Sequence, residues 1–318
     1  MDEQCYEIHI QIIRLQNIMS ERILVIVVTY NGAKYIENCL APLQSSGDNI
    51  ETIVVDNGST DETLGIVKSR FPRVIVVETK KNLGFGAANN AGFRYALANG
   101  FDYVYLLNQD AWIAPEDIER LVRINASHPE FGIISPLQVY RDKKRLDKNF
   151  SSTLPRALIN DCVLNTVGES DVYATDNRMV QAAHWLISCD VLRKVGAFSP
   201  AFFHYGEDHN FCHRVWYWRY KVGIVPSVLG VHDRSERVDS PSKKLYLLSQ
   251  RWRFLASNPN VSNKRGLWMV WQSFWSSVRQ YKFKLVKPMF SFCCELRRLF
   301  RIKRLSCSEG AFLDNSVL

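Results

Sequence analysis

Two aspartates stand directly after apolar runs and could hold a cation or a hydroxyl group. Asp110 ends the sequence Asn108-Gln109-Asp110, which follows the run Tyr103–Leu107, and Asp56 follows Thr52–Val55 in the same way. Carboxylate oxygens are the ligands that hard cations such as Mg²⁺ prefer, so an Asp in such a position can hold a cation against a phosphate group. A second interpretation is that each Asp stabilises a turn or caps the next helix.

A pair of adjacent acids, Glu207 and Asp208, lies in the aromatic segment 202–210. Partial burial there would raise the pKa of a carboxyl group toward the range of a general base. The alternative is that the acids pair with Arg214 or cap the helix that follows. His232 could ligate a metal or contact a phosphate, and it could equally be a polar residue that is satisfied within the fold.

The elements that must position these residues alternate between strands and helices over residues 23–135. The continuous apolar character of the strands indicates burial on both faces, as in a parallel sheet with right-handed crossovers. Such sheets bind ligands beyond the carboxyl ends of their strands, where Asp56 and Asp110 stand. The predicted strands are Ile23–Thr29, Thr52–Val55, Val74–Val77 and Tyr103–Leu107, with a later strand at 222–225 and further ordered segments at 180–188 and 228–232. Residues 136–178 are polar and predict a loop, and the pattern is helical from Leu245.

Two phosphate-binding motifs are absent from the sequence. The segment Asn82–Gly92 resembles a dinucleotide fingerprint, but Asn89 occupies the third glycine position when the spacing is counted from Gly84. No GxxxxGK[ST] sequence occurs, which disfavours a P-loop phosphotransferase. The small residues after Asn82 therefore predict close packing of a helix against the sheet near a ligand.

Composition and charge limit the class of protein. With 318 residues and 47% hydrophobic content, the chain can bury a sizeable core. Its eight cysteines show no zinc-ligand spacing and suggest no disulfide framework, and the latter favours a reducing compartment. Eleven Lys and Arg residues against the single acid Glu295 give segment 264–304 a net charge of +10, whereas the whole chain carries +8. The basic character therefore belongs to the C-terminal segment.

The C-terminal segment combines aromatic and basic residues. Apolar residues recur at helical spacing at positions 267, 270, 271, 274, 275 and 278, and four basic residues follow by position 287. The helix is too short and too charged to span a bilayer, which needs about 20 apolar residues. The pattern predicts a helix in the interface of an anionic membrane. A core-packing helix and a dimer contact are the alternatives. Nucleic acid is not an expected partner because no binding module accompanies the charge.

Five motifs in this order resemble the family 2 glycosyltransferases of GT-A fold, and in particular bacterial rhamnosyltransferase-like enzymes of polysaccharide and O-antigen synthesis. The resemblance covers residues 23–255. The motifs are Val28-Thr29-Tyr30-Asn31, Val55-Asp56-Asn57-Gly58-Ser59, Asn82-Leu83-Gly84-Phe85-Gly86, Asn108-Gln109-Asp110 and Gly206-Glu207-Asp208.

The resemblance implies a fold and a role for each motif. It implies an α/β protein of GT-A type, with a mostly parallel central sheet flanked by helices and a helical basic C-terminal appendage. Asp110 would contact a Mg²⁺ or Mn²⁺ ion, with His232 as a further candidate ligand. Asp208 would be the catalytic base and Glu207 the fallback. Asn210 stands where the family often has another acid. The nucleotide-sugar would contact Thr29, Tyr30, Asn31, Asp56, Asn82, Gly84 and Asn108.

The resemblance also implies a reaction and its partners. We expect an inverting transfer of a sugar from dTDP-rhamnose or a UDP-sugar to a hydroxyl of a lipid-linked or growing polysaccharide. The protein would lie in the cytoplasm, peripherally on the inner face of the cell membrane, and its oligomeric state stays open. The rival hypotheses are a nucleotidyltransferase, which should show a basic glycine-rich loop near residues 29–34, and a nucleotide-sugar-binding protein without catalysis.

Three regions are expected along the chain. Residues 1–19 form a leader that is either disordered or not native, because Met19 to Arg22 is a more natural start. Residues 20–255 form the glycosyltransferase domain, and residues 256–318 form the amphipathic basic helical segment.

Overall fold

The computed structural model describes residues 21–164, 170–233 and 240–314, so the predicted leader lies outside the described residues. A nine-stranded sheet forms its centre. The strands are β1 Ile23–Thr29, β2 Ile50–Asp56, β3 Ile75–Glu78, β4 Tyr103–Asn108, β5 Ala111–Trp112, β6 Phe131–Val139, β7 Tyr173–Ala174, β8 His184–Ser188 and β9 Lys221–His232.

Eleven α-helices follow or precede these strands within the described residues. They are α1 Ile36–Leu40, α2 Thr63–Arg70, α3 Phe85–Ala98, α4 Pro115–Ser127, α5 Lys148–Ser151, α6 Arg156–Leu164, α7 Cys189–Val195, α8 Glu207–Tyr217, α9 Pro241–Ala256, α10 Asn263–Tyr281 and α11 Val286–Leu305. Short 3₁₀ helices extend α1 over Ala41–Ser45 and join α10 to α11 over Lys282–Leu285.

The first four long strands form the predicted parallel unit. The sheet order is β3-β2-β1-β4-β8-β6-β9-β5, with β7 paired to β9. Strands β3, β2, β1 and β4 run parallel, and their register places Thr29 beside Asp56 and Val28 beside Asn108. The predicted strand-end residues therefore share one edge of the sheet.

The central strands are buried on both faces, as their continuous apolar sequences predict. In β1, Leu24 and Ile26 face one core while Ile23 and Val25 face the other. Successive side chains of a strand point to opposite faces, so a strand that is apolar at every position must be packed against other elements on both faces. Helices pack against both faces of the sheet, which confirms the predicted α/β architecture with a mostly parallel sheet.

The second half of the sheet is mixed. Strand β8 pairs antiparallel with β4 and β6, whereas β6 and β9 are parallel. The strand predicted at 222–225 and the segment 228–232 belong to one strand, β9, whose register against β6 shifts between Pro136 and Leu137. Pro226 lies at this irregularity, because proline has no N–H to give to a sheet ladder. The antiparallel pair β5–β9 sets Ala111 opposite His232.

The prediction of a loop over residues 136–178 was wrong in part. Strand β6 continues to Val139, helices α5 and α6 follow, and β7 adds a short edge to β9. Burial of a few apolar side chains orders this polar stretch, among them Phe150 and Leu158. Because its elements are short and their partners distant in sequence, periodicity alone does not reveal them.

The C-terminal helices α9, α10 and α11 enclose a third, smaller core around Trp252. The Arg253 guanidinium donates to both carboxylate oxygens of Glu295 at 3.0 and 2.7 Å, which joins α9 to α11. Arg298 Nη2 of α11 donates to the carbonyl of Pro200 at 3.1 Å, so this unit also contacts the segment that precedes α8. In the described part of the chain, no helix is long and apolar enough to cross a membrane.

Candidate active site

Asp56 is buried at the end of β2 and holds the turn that follows it. Its Oδ1 accepts the Thr29 hydroxyl at 3.0 Å, and its Oδ2 accepts the backbone N–H groups of Gly58 and Ser59 at 3.1 and 3.0 Å. Asp56 is only 2% exposed and Thr29 is fully buried. Both carboxylate oxygens therefore bond within the protein. Thr29 contributes to this edge of the sheet by its hydrogen bond to Asp56.

Tyr30 and Asn31 are exposed at the same edge and are fixed by their neighbours. The Gln109 side-chain amide receives the Tyr30 N–H at 2.9 Å and donates to the Tyr30 carbonyl at 3.3 Å. Asn31 has a φ of 49° and accepts the Thr60 N–H at 2.8 Å. These bonds set the β1 loop against the β4 loop and leave the Tyr30 ring, which is 46% exposed, available to a ligand.

Asn82 and Gly84 shape the loop before α3. Asn82 Oδ1 accepts from the buried Asn57 amide at 3.1 Å and from the Gly84 N–H at 2.9 Å. Gly84 has a φ of 85°, and a Cβ there would stand 2.0 Å from the carbonyl oxygen of Phe203. Only glycine allows this approach. The loop therefore packs directly against the segment that leads to Glu207 and Asp208.

Asp110 and His232 lie together at the end of the β5–β9 pair. Asp110 Oδ1 is 3.5 Å from His232 Nε2, and the Asp233 N–H donates to the Asp110 carbonyl at 2.8 Å. On the other side of the imidazole, His232 Nδ1 is 3.7 Å from Asp147 Oδ2. His232 is 1% exposed, whereas the Asp110 side chain is 19% exposed. The imidazole thus lies between a buried carboxylate and one that opens to the surface.

A second buried histidine supports this group from within the sheet. His184 Nδ1 lies 2.9 Å from the Tyr105 hydroxyl and its Nε2 lies 3.0 Å from the Val231 carbonyl. Burial, and next the neighbouring His232, lowers the pKa of His184 to about 3. His184 is consequently neutral at physiological pH, with Nε2–H as the tautomer that satisfies both contacts.

The Asp110 carboxylate and the His232 imidazole could supply two of the ligands of a hard or borderline divalent cation. The 3.5 Å separation of Asp110 Oδ1 and His232 Nε2 leaves room for one ion bonded to both at about 2.1 Å. Asp147 stands where a carboxylate orients a ligating imidazole through its other nitrogen. Within the described residues, no group of three or more His, Cys, Asp or Glu side chains could hold a metal.

Glu207 begins α8 and is almost completely buried. Its Oε2 has no hydrogen-bond partner among the residues that the structure describes. Burial, and next the charge of Asp208, raises the pKa of Glu207 to about 8. The carboxyl group of Glu207 is therefore protonated at neutral pH and is 4% exposed.

Asp208 differs from its neighbour in exposure and protonation. Its Oδ1 accepts the His209 N–H at 2.8 Å and lies 3.2 Å from His209 Nδ1. Burial raises the pKa of Asp208, but the hydrogen bonds and charge of His209 outweigh it, so the pKa lies below its usual value. The side chain is 20% exposed. Asp208 thus presents an ionised carboxylate to solvent, and Glu207 a neutral buried one.

The sequence of the chain matches the profile described as Glycosyl transferase family 2 over residues 24–196. The match includes more than half of the chain and contains four of the five motifs. The protein belongs to glycosyl transferase family 2. This confirms the predicted family, and the Glu207-Asp208 pair lies just beyond the matched segment.

Individual members of the family match over most of the chain. The low-salt glycan biosynthesis hexosyltransferase Agl10 of Haloferax volcanii is 28% identical over 250 residues, which cover 77% of this chain and 78% of that protein. An N-acetylglucosaminyl-diphospho-decaprenol L-rhamnosyltransferase of Mycobacterium tuberculosis is 26% identical over 240 residues, with 68% and 78% covered.

A solved structure shares the fold. The crystal structure of S. aureus TarS 1-349 in complex with UDP superposes with a TM-score of 0.53 at 15% sequence identity, covering 81% of this chain and 72% of that chain. At this identity the likeness concerns the fold alone. Together with the family match it confirms the predicted GT-A type fold, with a helical C-terminal region.

The structure joins the predicted site residues of this family 2 protein into three linked groups. Thr29, Asp56 and the exposed Tyr30 form the first, and Asp110 with His232 forms the second, joined to it through Gln109. The third contains Asn82, Gly84, Glu207 and Asp208, joined to the first by the Asn57–Asn82 hydrogen bond. The described contacts do not link Asp208 directly to Asp110. The ligand-binding and catalytic roles of all these residues stay predictions.

Two alternatives for the acid pair are resolved. Arg214 does not pair with either acid, because its fully buried guanidinium donates to the carbonyls of Val195 and Ala197 at 2.9 and 2.5 Å. Asn210 is buried and donates to Ser257 Oγ at 3.3 Å, so it faces the α9 side of the helix. Both acids lie in the first turn of α8, where the helix dipole favours a negative charge.

Sequence reasoning missed Asn57 and Asp147. Asn57 is visible in the second motif, and its buried amide joins two loops of the pocket. Asp147 lies in the stretch predicted as a loop, where it caps α5 by accepting the Asn149 and Phe150 N–H groups. Its approach to His232 joins residues that are far apart in the sequence, and no local pattern signals it.

Asn108 was predicted correctly to lie at the strand end. Its buried Oδ1 has no hydrogen-bond partner among the described residues.

Proposed function

We propose that this family 2 glycosyltransferase moves a hexose, with inversion, from a nucleoside diphosphate-sugar to a hydroxyl group of a lipid-linked or growing polysaccharide. The donor would be dTDP-rhamnose or a UDP-sugar. The observation that carries the proposal is the carboxyl edge of the neighbouring strands β2, β1 and β4: Thr29 pairs with Asp56, Asn108 ends β4, and Asp110, two residues later, lies 3.5 Å from His232. Membership of the family supports sugar transfer, and the two relatives of similar length are named as a hexosyltransferase and a rhamnosyltransferase.

The donor would bind across the first two groups of the site. The nucleoside would lie beside the exposed Tyr30 ring and the turn that Asp56 holds, while the diphosphate would extend toward Asp110. The Asn108 amide, whose oxygen has no partner among the described residues, lies between them. The anomeric carbon would then lie toward the side of the site where the Gly84 loop packs against the segment before α8.

Asp208 would act as the catalytic base. Its carboxylate is ionised and partly exposed, so it can accept the proton of the acceptor hydroxyl. As that oxygen attacks the anomeric carbon, the bond from this carbon to the diphosphate oxygen breaks and its electron pair leaves with the diphosphate. The anomeric configuration inverts because attack occurs opposite the leaving group. Glu207, protonated and buried at neutral pH, would support the helix start, and it could serve as the fallback base only after its carboxyl group ionises.

Asp110 and His232 would hold Mg²⁺ or Mn²⁺, with diphosphate and water oxygens completing the coordination. A bound cation would neutralise the charge that develops on the departing diphosphate. Asp147 would keep the His232 ring oriented, since it lies on the Nδ1 side of the imidazole.

The proposed location is the cytoplasm, with the protein peripherally attached to the inner face of the cell membrane through its C-terminal segment. A lipid-linked acceptor would be presented there. The basic charge of residues 264–304 and their exposed tryptophans support this location. The products would be polysaccharides of the cell envelope, such as an O-antigen or capsule.

A panel of nucleotide sugars, measured first by thermal stabilisation and then by transfer, tests the function. We expect one nucleoside diphosphate-sugar to stabilise the protein in the presence of Mn²⁺ and to turn over with a lipid-linked acceptor. Stabilisation without any turnover in the wild type would favour the nucleotide-sugar-binding alternative. Release of pyrophosphate from a nucleoside triphosphate and a sugar phosphate would instead indicate a nucleotidyltransferase.

A further inference from the structure

Helix α10 exposes a row of three tryptophans, which we call the aromatic face. Trp268, Trp271 and Trp275 are 46%, 51% and 55% exposed, although the opposite side of the helix is buried through Val270 and Ser273. The rings of Trp268 and Trp271 stack at 4.8 Å. Their i, i+3, i+7 spacing aligns them along one side of the helix.

The 3₁₀ connection and the start of α11 expose a second apolar set, which we call the apolar turn. Phe283, Val286 and Phe290 are 91%, 64% and 72% exposed. They repeat the i, i+3, i+7 spacing of the aromatic face. Six large apolar side chains thus lie open on two consecutive helices, and an exposed apolar surface of this kind marks an interaction site.

Basic residues flank both sets along the sequence, and no acid occurs between positions 264 and 290. All six basic side chains in this range are exposed, namely Lys264, Arg265, Arg279, Lys282, Lys284 and Lys287. A second copy of the chain would bring the same positive charge against this surface, and like charges repel. A partner with negative charge above an apolar interior is complementary to it.

We propose that the aromatic face and the apolar turn dock onto the surface of an anionic lipid bilayer. The side chains of Phe283, Val286 and Phe290 enter the acyl boundary, and the tryptophans lie at the level of the headgroups, where amphipathic rings are favoured. Lys282, Lys284 and Lys287 contact lipid phosphates. The apolar turn is the inserted part because its side chains are the most exposed.

Helix α9 connects the aromatic face and the apolar turn to the segment that carries Asp208. Tyr246 of α9 donates its hydroxyl to the His204 carbonyl at 2.9 Å, and the Phe254 ring stacks on His209 at 4.2 Å. Since α9 also packs against α10 and α11, docking fixes the direction in which Asp208 faces the membrane. The inference rests on the membrane location in the proposed function and deepens it by naming the side chains that enter the bilayer, whereas docking does not depend on sugar transfer.

Sedimentation of the full-length protein with vesicles tests the docking surface without any substrate. We expect binding to phosphatidylcholine vesicles that contain phosphatidylglycerol, and weaker binding to phosphatidylcholine alone or at high salt. The triple variant Lys282→Gln/Lys284→Gln/Lys287→Gln should bind anionic vesicles about a hundredfold more weakly, because each basic residue near such a surface contributes about a fivefold factor.

The double variant Phe283→Ser/Phe290→Ser should reduce binding at least about tenfold. Ile159→Ser, which changes a 44% exposed residue outside these helices, and the triple variant Lys143→Gln/Lys144→Gln/Lys148→Gln are the matched controls and should bind as the wild type does. Circular dichroism checks that each variant is folded.

Equal binding by the phenylalanine variant and its control would overturn the proposal. A wild-type dimer that dissociates in the phenylalanine variant and does not bind vesicles would overturn it in favour of self-association. Because vesicle binding is measured without donor or acceptor, a protein that binds vesicles but transfers no sugar would contradict the proposed function alone.

Discussion

The carboxylate at the end of β2 and the carboxylates around β9 and α8 are held in opposite ways. Asp56 gives both of its oxygens to the Thr29 hydroxyl and to backbone N–H groups. Glu207 and Asp147 each have a buried oxygen without a hydrogen-bond partner among the described residues. Part of the Asp208 carboxylate is exposed. The first region is built to be rigid, and the second has bonding capacity left for a cation, a proton or an acceptor.

This difference teaches that the carboxylates around the site have two separable uses. In the Asp56 region the carboxylate shapes the loops that present Tyr30 and Asn31. In the acidic region the unused oxygens carry an energetic cost, since a buried polar atom without a hydrogen bond destabilises the fold by about 1–3 kcal/mol. Such a cost is typical of sites that bind or react. Changes in the acidic region should therefore affect activity most, and changes around Asp56 should affect stability.

The largest effect is expected for Asp208→Asn. Loss of the carboxylate that takes the acceptor proton should lower kcat about a thousandfold, within the range of general-base catalysis. Affinity for the donor should be retained, as measured by calorimetry with the stabilising nucleotide sugar. Asp190→Asn is the matched control, since Asp190 also lies in the first turn of a helix. Equal turnover by Asp208→Asn and the wild type would exclude Asp208 as the base.

The second prediction concerns pH and Glu207. Burial raises the pKa of Glu207 from its ordinary value of 4.5 to about 8, so between these values the group is neutral when folded and ionised when unfolded. The free energy of unfolding of the wild type should therefore fall, as the pH rises through this window, by on the order of 5 kcal/mol relative to Glu207→Gln. Denaturant titrations at several pH values measure this difference. Parallel pH profiles for both proteins would show that Glu207 is not perturbed.

Asp110→Ala should weaken the Mn²⁺-dependent part of donor binding at least about a hundredfold. A direct ligand should matter more than an outer partner of a ligand, whose loss costs about 10–100-fold. Calorimetry with and without Mn²⁺ separates this part from metal-independent binding. Glu116→Ala, an exposed acid of the following helix, is the control. Unchanged affinity in both conditions would refute a metal role for Asp110.

Asp147→Asn should weaken Mn²⁺ binding about thirtyfold in the presence of nucleoside diphosphate, as expected for a residue that orients a metal ligand. Asn retains an oxygen that can cap α5, so the melting temperature should hardly change. Electron paramagnetic resonance of Mn²⁺ measures the affinity. Asp142→Asn removes the same charge from an exposed position nearby. A loss of stability with unchanged Mn²⁺ affinity would show that Asp147 only caps α5 and does not orient His232.

The smallest effect is expected for Thr29→Val, in the rigid region. The variant loses one hydrogen bond to a buried carboxylate, which should lower the free energy of unfolding by about 1.5 kcal/mol. Turnover at saturating donor should stay near that of the wild type. Thr52→Val, in the neighbouring strand, serves as the control. If Thr29→Val abolished turnover without a change in stability, the contrast between the two regions would be wrong.

The sequence predicts the parallel half of the fold well because its signals are local. Apolar runs such as Ile23–Thr29 identify strands buried on both faces, and the Asp residues after them mark the carboxyl edge. The half of the sheet that mixes parallel and antiparallel strands is harder to predict from the sequence. Strand β9 was predicted only over 222–225 because Pro226 interrupts the pattern, and the short elements of 136–178 depend on distant partners.

The same distinction applies to the site. Thr29, Asp56 and Asp110 follow from motif and strand position, and the structure sets them on one edge. The approach of Asp147 to His232 and the partition of Glu207 and Asp208 into neutral and ionised groups depend on burial and on tertiary contacts. A sequence does not display those quantities, because each results from residues that are far apart along the chain.

A crystal structure with Mn²⁺ and the nucleoside diphosphate that stabilises the protein most would test the central claim most directly. We predict an anomalous Mn²⁺ peak between Asp110 Oδ1 and His232 Nε2, with the diphosphate on the same ion and the nucleoside beside Tyr30 and the Asp56 turn. A Mn²⁺ peak away from both residues, or a nucleotide bound elsewhere than this sheet edge, would contradict the account.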